Sequence, residues 1–131
     1  MIVVDNSALV AILEEEPDAE RFLHIIRDAS RRLSSAVTVH ETGVVIGVRR
    51  GHECAFEVMA LLDALGIEIV PFAEPHIFGA LAAYSRYGKG IHPKARLNLG
   101  DCAAYALAKS INVPLLFKGA DFSETDVLTC V

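Results

Sequence analysis

The chain has 131 residues, 53% of them hydrophobic, and 12 Lys and Arg against 17 Asp and Glu give a net charge of −5. That length suits one domain, residues 1–131, with a substantial core, and no stretch reaches the roughly 18 uninterrupted apolar residues of a membrane span. An acidic balance speaks against a general nucleic-acid binder, although acids gathered around a metal give the same negative sum. The mean hydropathy of +0.40 is high for a soluble monomer, so either the core is large or a partner covers an apolar face. The N-terminus lacks the basic flank and long apolar segment of a signal peptide, which places the protein in the cytoplasm. Cys54, Cys102 and Cys130 have no C-x-x-C spacing and read as reduced, buried, small apolar residues.

Ile2-Val3-Val4 is a β-branched run without charge, the pattern of a strand buried on both faces of a parallel sheet. Asp5 follows where the chain leaves the sheet, the edge at which ligands collect in open α/β folds. Asp5 serves either chemistry or helix capping. Ser7 precedes Ala8-Leu9-Val10-Ala11-Ile12-Leu13 and is placed to N-cap that helix. Glu14-Glu15-Glu16 is a solvated turn, and Pro17 opens a second helix carrying Ala19, Phe22, Leu23, Ile26 and Ala29 at helical spacing.

Leu33-Ser34-Ser35 is the second strand. Ser35 or Thr38 caps a third helix running to about Arg50, on which Val37, Glu41, Val44, Val45 and Val48 lie near one face. Glu41 is then a carboxylate within an apolar stripe, and an unpaired buried charge is costly. It needs a partner, a raised pKa or a metal, unless it sits at the helix boundary and turns to water. A fourth helix runs from near Glu53 to Leu65, carrying Phe56, Met59, Ala60 and Leu62, with Gly66 ending it. Ile67-Glu68-Ile69-Val70 is the third strand. The fifth helix opens at Glu74-Pro75, is expected to bury Ile77, Phe78, Leu81, Ala82 and Tyr84, and stops at Gly88.

The segment Arg86 to Arg96 holds Arg86, Lys89, Lys94 and Arg96 and no acid. Its glycines and proline make it a loop. Its charge and its tyrosine suit a phosphate backbone, although an ordinary solvated loop reads the same way. Leu97-Asn98-Leu99-Gly100 leads to Asp101 in the first turn of another helix, where the dipole alone favours an acid. Val113 to Phe117 is a fourth strand, Asp121 follows it, and Val127 to Cys130 is a fifth. Alternating strands and helices predict a five-stranded parallel α/β sheet with helices on both faces.

Asp5, Glu41, Asp101 and Asp121 can converge on one cleft at the carboxyl edge of such a sheet. Four carboxylates there repel one another, and a divalent cation removes the conflict. Oxygen ligands suit Mg²⁺, with Mn²⁺ as a substitute. The resulting site activates water and neutralises charge on a phosphate. Other chemistries fit less well. Val44 stands where a zinc-protease helix starting at His40-Glu41 needs its second His. No G-x-S-x-G elbow or glycine-rich phosphate loop is present.

Four segments carry a family resemblance: Val3 to Leu9, Ser35 to Thr42, Leu97 to Cys102, and Leu115 to Phe122. In order and at this length, the chain resembles a PIN-domain ribonuclease, more narrowly a VapC-type toxin of a bacterial toxin–antitoxin pair. The resemblance implies Mg²⁺-dependent endoribonuclease activity on RNA, with Asp5, Glu41, Asp101 and Asp121 as the acidic set. It further implies a homodimer and inhibition by a cognate antitoxin. Family members vary at the fourth acid. Asp121 is preferred, with Asp126 in reserve. Ser7 and Asn98 are then supporting groups that orient the carboxylates, which leaves room for their capping roles. An amphipathic antitoxin helix is expected in a groove between the first two helices, with some of Ala8, Ile12, Phe22, Ile25 and Ile26 left outside the core. A phosphatase using the same acids on small phosphate esters, or a non-catalytic binding module of the same fold, are the alternatives.

Overall fold

The computed structural model describes residues 1–130, and its order is β1 (Ile2–Val4), α1 (Asn6–Leu13), α2 (Ala19–Asp28), β2 (Arg32–Ser35), α3 (Ala36–Arg50), a 3₁₀ turn (His52–Phe56), α4 (Glu57–Leu65), β3 (Ile67–Val70), α5 (Glu74–Tyr87), α6 (Leu99–Ile111) and β4 (Leu115–Leu116). All strands are parallel, in the order β3-β2-β1-β4. The chain moves outward from β1 to β2 and β3, then returns across the sheet to place β4 on the other side of β1. The switch in direction therefore falls between β1 and β4, where open α/β sheets form their clefts.

The pleat of β1 divides the core. Ile2 and Val4 face a cluster containing Leu9, Phe22, Ile26, Val58 and Leu62, from α1, α2 and α4. Val3 faces the opposite cluster, with Ala83, Tyr87, Ala104, Tyr105 and Leu107 from α5 and α6. Both faces of β1 are covered, which is why it carries no polar residue.

The expected fifth strand is reduced to a single parallel bridge between Leu115 and Thr129. Leu115 donates to the Leu128 carbonyl at 2.8 Å, and Cys130 donates back to Leu115 at 3.3 Å. The ladder goes no further because β4 itself is two residues long.

The helix faces depart further from expectation. Ile77, Phe78, Leu81 and Tyr84 are exposed, and α5 buries only Ala83 and Tyr87 fully. Small residues set that contact: a Cβ on Gly79 would lie 3.3 Å from the Ala106 methyl, so α5 meets α6 closely there and its bulky residues point away. On α3 the buried face is Thr38, Val39, Thr42, Gly43, Ile46 and Gly47. Val44 and Val48 face outward, as do Phe56 and Met59. Of the residues expected beside a groove between α1 and α2, Ala8, Ile12, Phe22 and Ile26 are core residues, and Ile25 is the one left only partly buried. The surplus apolar surface lies instead along α3, the 3₁₀ turn and α4, and along α5 beside Phe72 and Leu99. No helix among the described residues is long and apolar enough to cross a membrane.

Candidate active site

Asp5 directly follows β1, and it is 2% exposed. It, rather than Ser7, is the N-cap of α1: its Oδ2 accepts the Ser7 N–H at 3.0 Å and the Ser7 hydroxyl at 2.6 Å. Ser7 Oγ also accepts the Lys118 N–H at 2.9 Å. One hydroxyl thus ties the start of α1 to the chain leaving β4, across the point where the sheet changes direction. Asp5 Oδ1 is buried with no partner. An orphaned carboxylate oxygen in the interior is costly unless something binds it. Burial raises the Asp5 pKa, and the charge of Asp121 adds to the effect against the bonds from Ser7 and Asn6.

Glu41 is half-buried on α3, and its Oε1 also has no partner. Burial and the charge of Asp5 raise its pKa. The carboxylate rests on Gly100 in the first turn of α6: a Cβ built on that glycine would meet Glu41 Cδ at 2.6 Å and Oε2 at 2.7 Å. Its partial burial therefore comes from the cleft rather than from the apolar stripe expected along α3. Asp101 follows Gly100. Its Oδ2 accepts the Asn98 N–H at 3.0 Å, and Asn98 Oδ1 accepts the Asp101 N–H at 2.9 Å. This reciprocal cap both starts α6 and fixes the direction of the carboxylate. Burial, followed by the charges of Asp5, Glu41 and Asp121, pushes the Asp101 pKa up to about 7 against the Asn98 bond.

The two candidates for a fourth acid separate in space. Asp121 is exposed beyond β4, within electrostatic reach of Asp5 and Asp101. Asp126 faces elsewhere: it accepts from the Tyr105 hydroxyl, pairs with Lys109 at 3.2 Å and lies 3.8 Å from Arg86. Tyr105 and Lys109 hold its pKa below the usual carboxylate range. Asp126 thus belongs to a cluster that pins the C-terminal segment to α5 and α6.

That cluster also engages Arg86, whose guanidinium stacks over the Tyr87 ring at 4.7 Å. Arg86 thus sits at the foot of the basic loop, with its side chain 60% exposed and a long, 3.8 Å contact to Asp126. Lys89, Lys94 and Arg96 are exposed and form no ion pair among the described residues. The loop is ordered at its base, where Lys89 donates to Leu97 at 2.8 Å and Leu97 to Tyr87 at 2.9 Å. It runs directly into Asn98 and the capped start of α6. Two positions beside the acids were not singled out from the sequence. Gly100 is one. The other is Asn6, whose Oδ1 accepts from Thr42 Oγ1 at 3.0 Å and joins α1 to α3 next to Glu41. A polar residue beside each acid was the available signal, but nothing in the sequence pairs Asn6 with Thr42.

No group of three or more His, Cys, Asp or Glu side chains among the described residues is close enough, as placed here, to hold a metal ion together. What the acids form is an open, mutually repelling set with two orphaned oxygens. This dictates a pH dependence. Asp5, Glu41 and Asp101 all bind protons more tightly in the folded chain than in the unfolded one. The contribution of these three groups to the stability of the metal-free protein is then full below the ordinary carboxylate range and is lost as pH rises toward about 7, where Asp101 titrates. Asp126, held low, acts in the opposite sense, adding stability above the ordinary carboxylate range that is lost as pH falls below it. Melting temperatures in chelator from about pH 4 to 8 check this. A steady rise across the range contradicts the repulsion.

Comparison with known proteins agrees with this architecture. The PIN domain family model matches residues 2–128. Ribonuclease VapC30 of Mycobacterium tuberculosis is 44% identical over 128 residues, covering 98% of this chain and 97% of the relative. Ribonuclease VapC of Mycolicibacterium smegmatis is 44% identical over 126 residues, covering 96% and 97%. Among solved structures, M. tuberculosis VapC20, described as a Sarcin-Ricin loop cleaving toxin, superposes with a TM-score of 0.79 at 14% identity, covering 99% of this chain and 98% of that one. At that identity the likeness is one of fold. A matching family model over nearly the whole chain, together with relatives of this identity, makes the protein a member of the PIN-domain family, in its VapC group.

Proposed function

We propose that the protein is a Mg²⁺-dependent endoribonuclease, the toxin of a toxin–antitoxin pair. The observation that carries this reading is the pair of buried, partnerless oxygens, Asp5 Oδ1 and Glu41 Oε1, beside an Asp101 whose pKa is pushed up to about 7. An acid set in that state fits a hard divalent cation, which relieves the repulsion and satisfies the oxygens together. Asp5, Glu41, Asp101 and Asp121 would hold Mg²⁺, or Mn²⁺ in its place. The bound ion supplies an activated water and charge neutralisation at the scissile phosphate.

The chain's own groups divide the remaining work. Ser7 keeps the Asp5 carboxylate aimed across the cleft, and Asn98 does the same for Asp101. Lys89, Lys94 and Arg96 lie on the loop entering α6 and give the RNA backbone a cationic track toward the acids. Arg86 stands at the foot of that loop. The relocated apolar surfaces suit the two protein partners. The groove of Val44, Val48, Phe56 and Met59 also includes His40, the neighbour of Glu41. An antitoxin helix seated there reaches the cleft, where an Arg or Lys replaces the metal charge. The α5 face, with Ile77, Phe78, Leu81 and Leu99, then serves a second copy of the chain in a homodimer.

The deciding experiment offers the purified protein a structured RNA and nitrophenyl phosphate, each with Mg²⁺ and with chelator. Cleavage of RNA alone, abolished by chelator and restored by Mg²⁺, is expected. Ester hydrolysis without RNA cleavage makes the protein a phosphatase. Inactivity on both substrates with RNA still bound makes it a binding module.

A further inference from the structure

We propose that Gly100 is a positioning residue for the metal site: its missing side chain is the seat of the Glu41 carboxylate. The proposal rests on the reading of Glu41 as a metal-holding group. Gly100 is buried and occupies the first turn of α6. Glycine there costs about 1 kcal/mol against alanine in helix propensity. Backbone geometry does not demand it, since Gly100 is not among the residues with positive φ. Space does. A Cβ would stand 2.6 Å from Glu41 Cδ and 2.7 Å from Oε2, and closer still to Oε1. No carbon sits so close to a carboxylate, so one of the two must leave.

What leaves is decided by stiffness. The α6 backbone at Gly100 is held on one side by the Asn98–Asp101 reciprocal cap and on the other by the buried run Cys102 to Ala108. Glu41 presents the far end of a flexible side chain with no hydrogen bond to hold Oε1. A methyl at position 100 therefore expels the carboxylate from the cleft and leaves the fold in place. The same glycine brings α6 and α3 together at the point where Asp101 and Glu41 must share a ligand. Thus the residue preceding one acid determines where another acid from a different helix stands.

The test uses the full chain and Mn²⁺ as the probe. Gly100→Ala is expected to weaken Mn²⁺ binding by about 10–100-fold, the size of effect usual for groups that orient ligands. In the metal-free protein the ¹³C carboxyl resonance of Glu41 is expected to move toward that of a solvated glutamate. Adding Gly100→Ala to Glu41→Ala should weaken Mn²⁺ binding no further, because both changes remove the same carboxylate from the cleft. Additive losses mean that Gly100 acts through the α6 backbone and overturn the proposal, as does an unmoved Glu41 resonance. If the wild type itself binds no Mn²⁺, the metal reading fails, and the Glu41 resonance still decides whether Gly100 seats the carboxylate. If Gly100→Ala alone fails to fold while the double variant folds, the clash with Glu41 is the cause and the proposal stands. Failure of both variants to fold overturns it.

Discussion

Asp101→Asn is expected to lower the proposed RNA cleavage by about 10²–10³-fold, while the metal-free variant melts at or above the wild type. The two effects have one origin. Asp101 is repelled by Asp5, Glu41 and Asp121 and desolvated by its position. Replacing the carboxylate by an amide of the same shape removes a charge from that set. An asparagine oxygen can still accept the Asn98 N–H, so the start of α6 survives. Without metal, the loss of repulsion stabilises the variant. With the proposed metal bound, the same change would remove one of the groups that hold it. Mg²⁺ is expected to raise the wild-type melting temperature by mass action and to raise that of the variant much less. Equal Mg²⁺ stabilisation of the two proteins would falsify a shared site.

Ser7→Ala is expected to lower the proposed activity by about 10–100-fold and to leave RNA binding nearly intact. Unlike Asp101→Asn, it also destabilises the metal-free protein. The hydroxyl donates to Asp5 at 2.6 Å and accepts from Lys118 at 2.9 Å, so its removal leaves the Lys118 N–H without this partner and frees the Asp5 carboxylate to turn. Loss of such a bridging hydroxyl costs about 1–3 kcal/mol. Denaturant unfolding and single-turnover cleavage on the same samples separate the two roles. A stability loss with unchanged turnover reduces Ser7 to a structural bridge.

The acidic set illustrates what a linear pattern can convey. Asp5 and Asp121 follow strands, and in a parallel sheet every strand end lies on the same edge. Asp101 follows Asn98 at capping distance, which places it in the first turn of its helix. These are local rules of backbone geometry, and they suffice to bring the three acids to one side of the sheet. The choice between Asp121 and Asp126 was not local. Both follow β4 in turn-rich sequence, and only the packing of Tyr105, Lys109 and Arg86 around Asp126 draws it away.

The buried faces of the helices were least legible. On α5 the large apolar residues recur at helical spacing, and spacing alone makes them core. The contact with α6 runs through Gly79, Ala83 and Ala106 instead, because small residues allow two helices to approach closely. The same holds on α3, where Gly43 and Gly47 face the 3₁₀ turn: added Cβ atoms there would lie 3.3 Å from the Ala55 backbone oxygen and methyl. Val44 and Val48 then face outward. Periodicity reports that a helix has an apolar side, but it does not report whether sheet, neighbour or partner covers that side.

The sequence by itself determined the alternation of strands and helices, the parallel sheet, the strand-end position of Asp5 and the cap that starts α6. Each depends on residues within a turn or two of one another. Tertiary structure alone decided that Ser7 bridges to Lys118, that Glu41 rests on Gly100, that Asp126 is withdrawn, and that the apolar surplus lies on α3, α4 and α5 rather than between α1 and α2. Those outcomes hinge on which surfaces meet across the chain, 111 residues between Ser7 and Lys118 and 21 between Tyr105 and Asp126, and close approach is set by the volume of both partners at once.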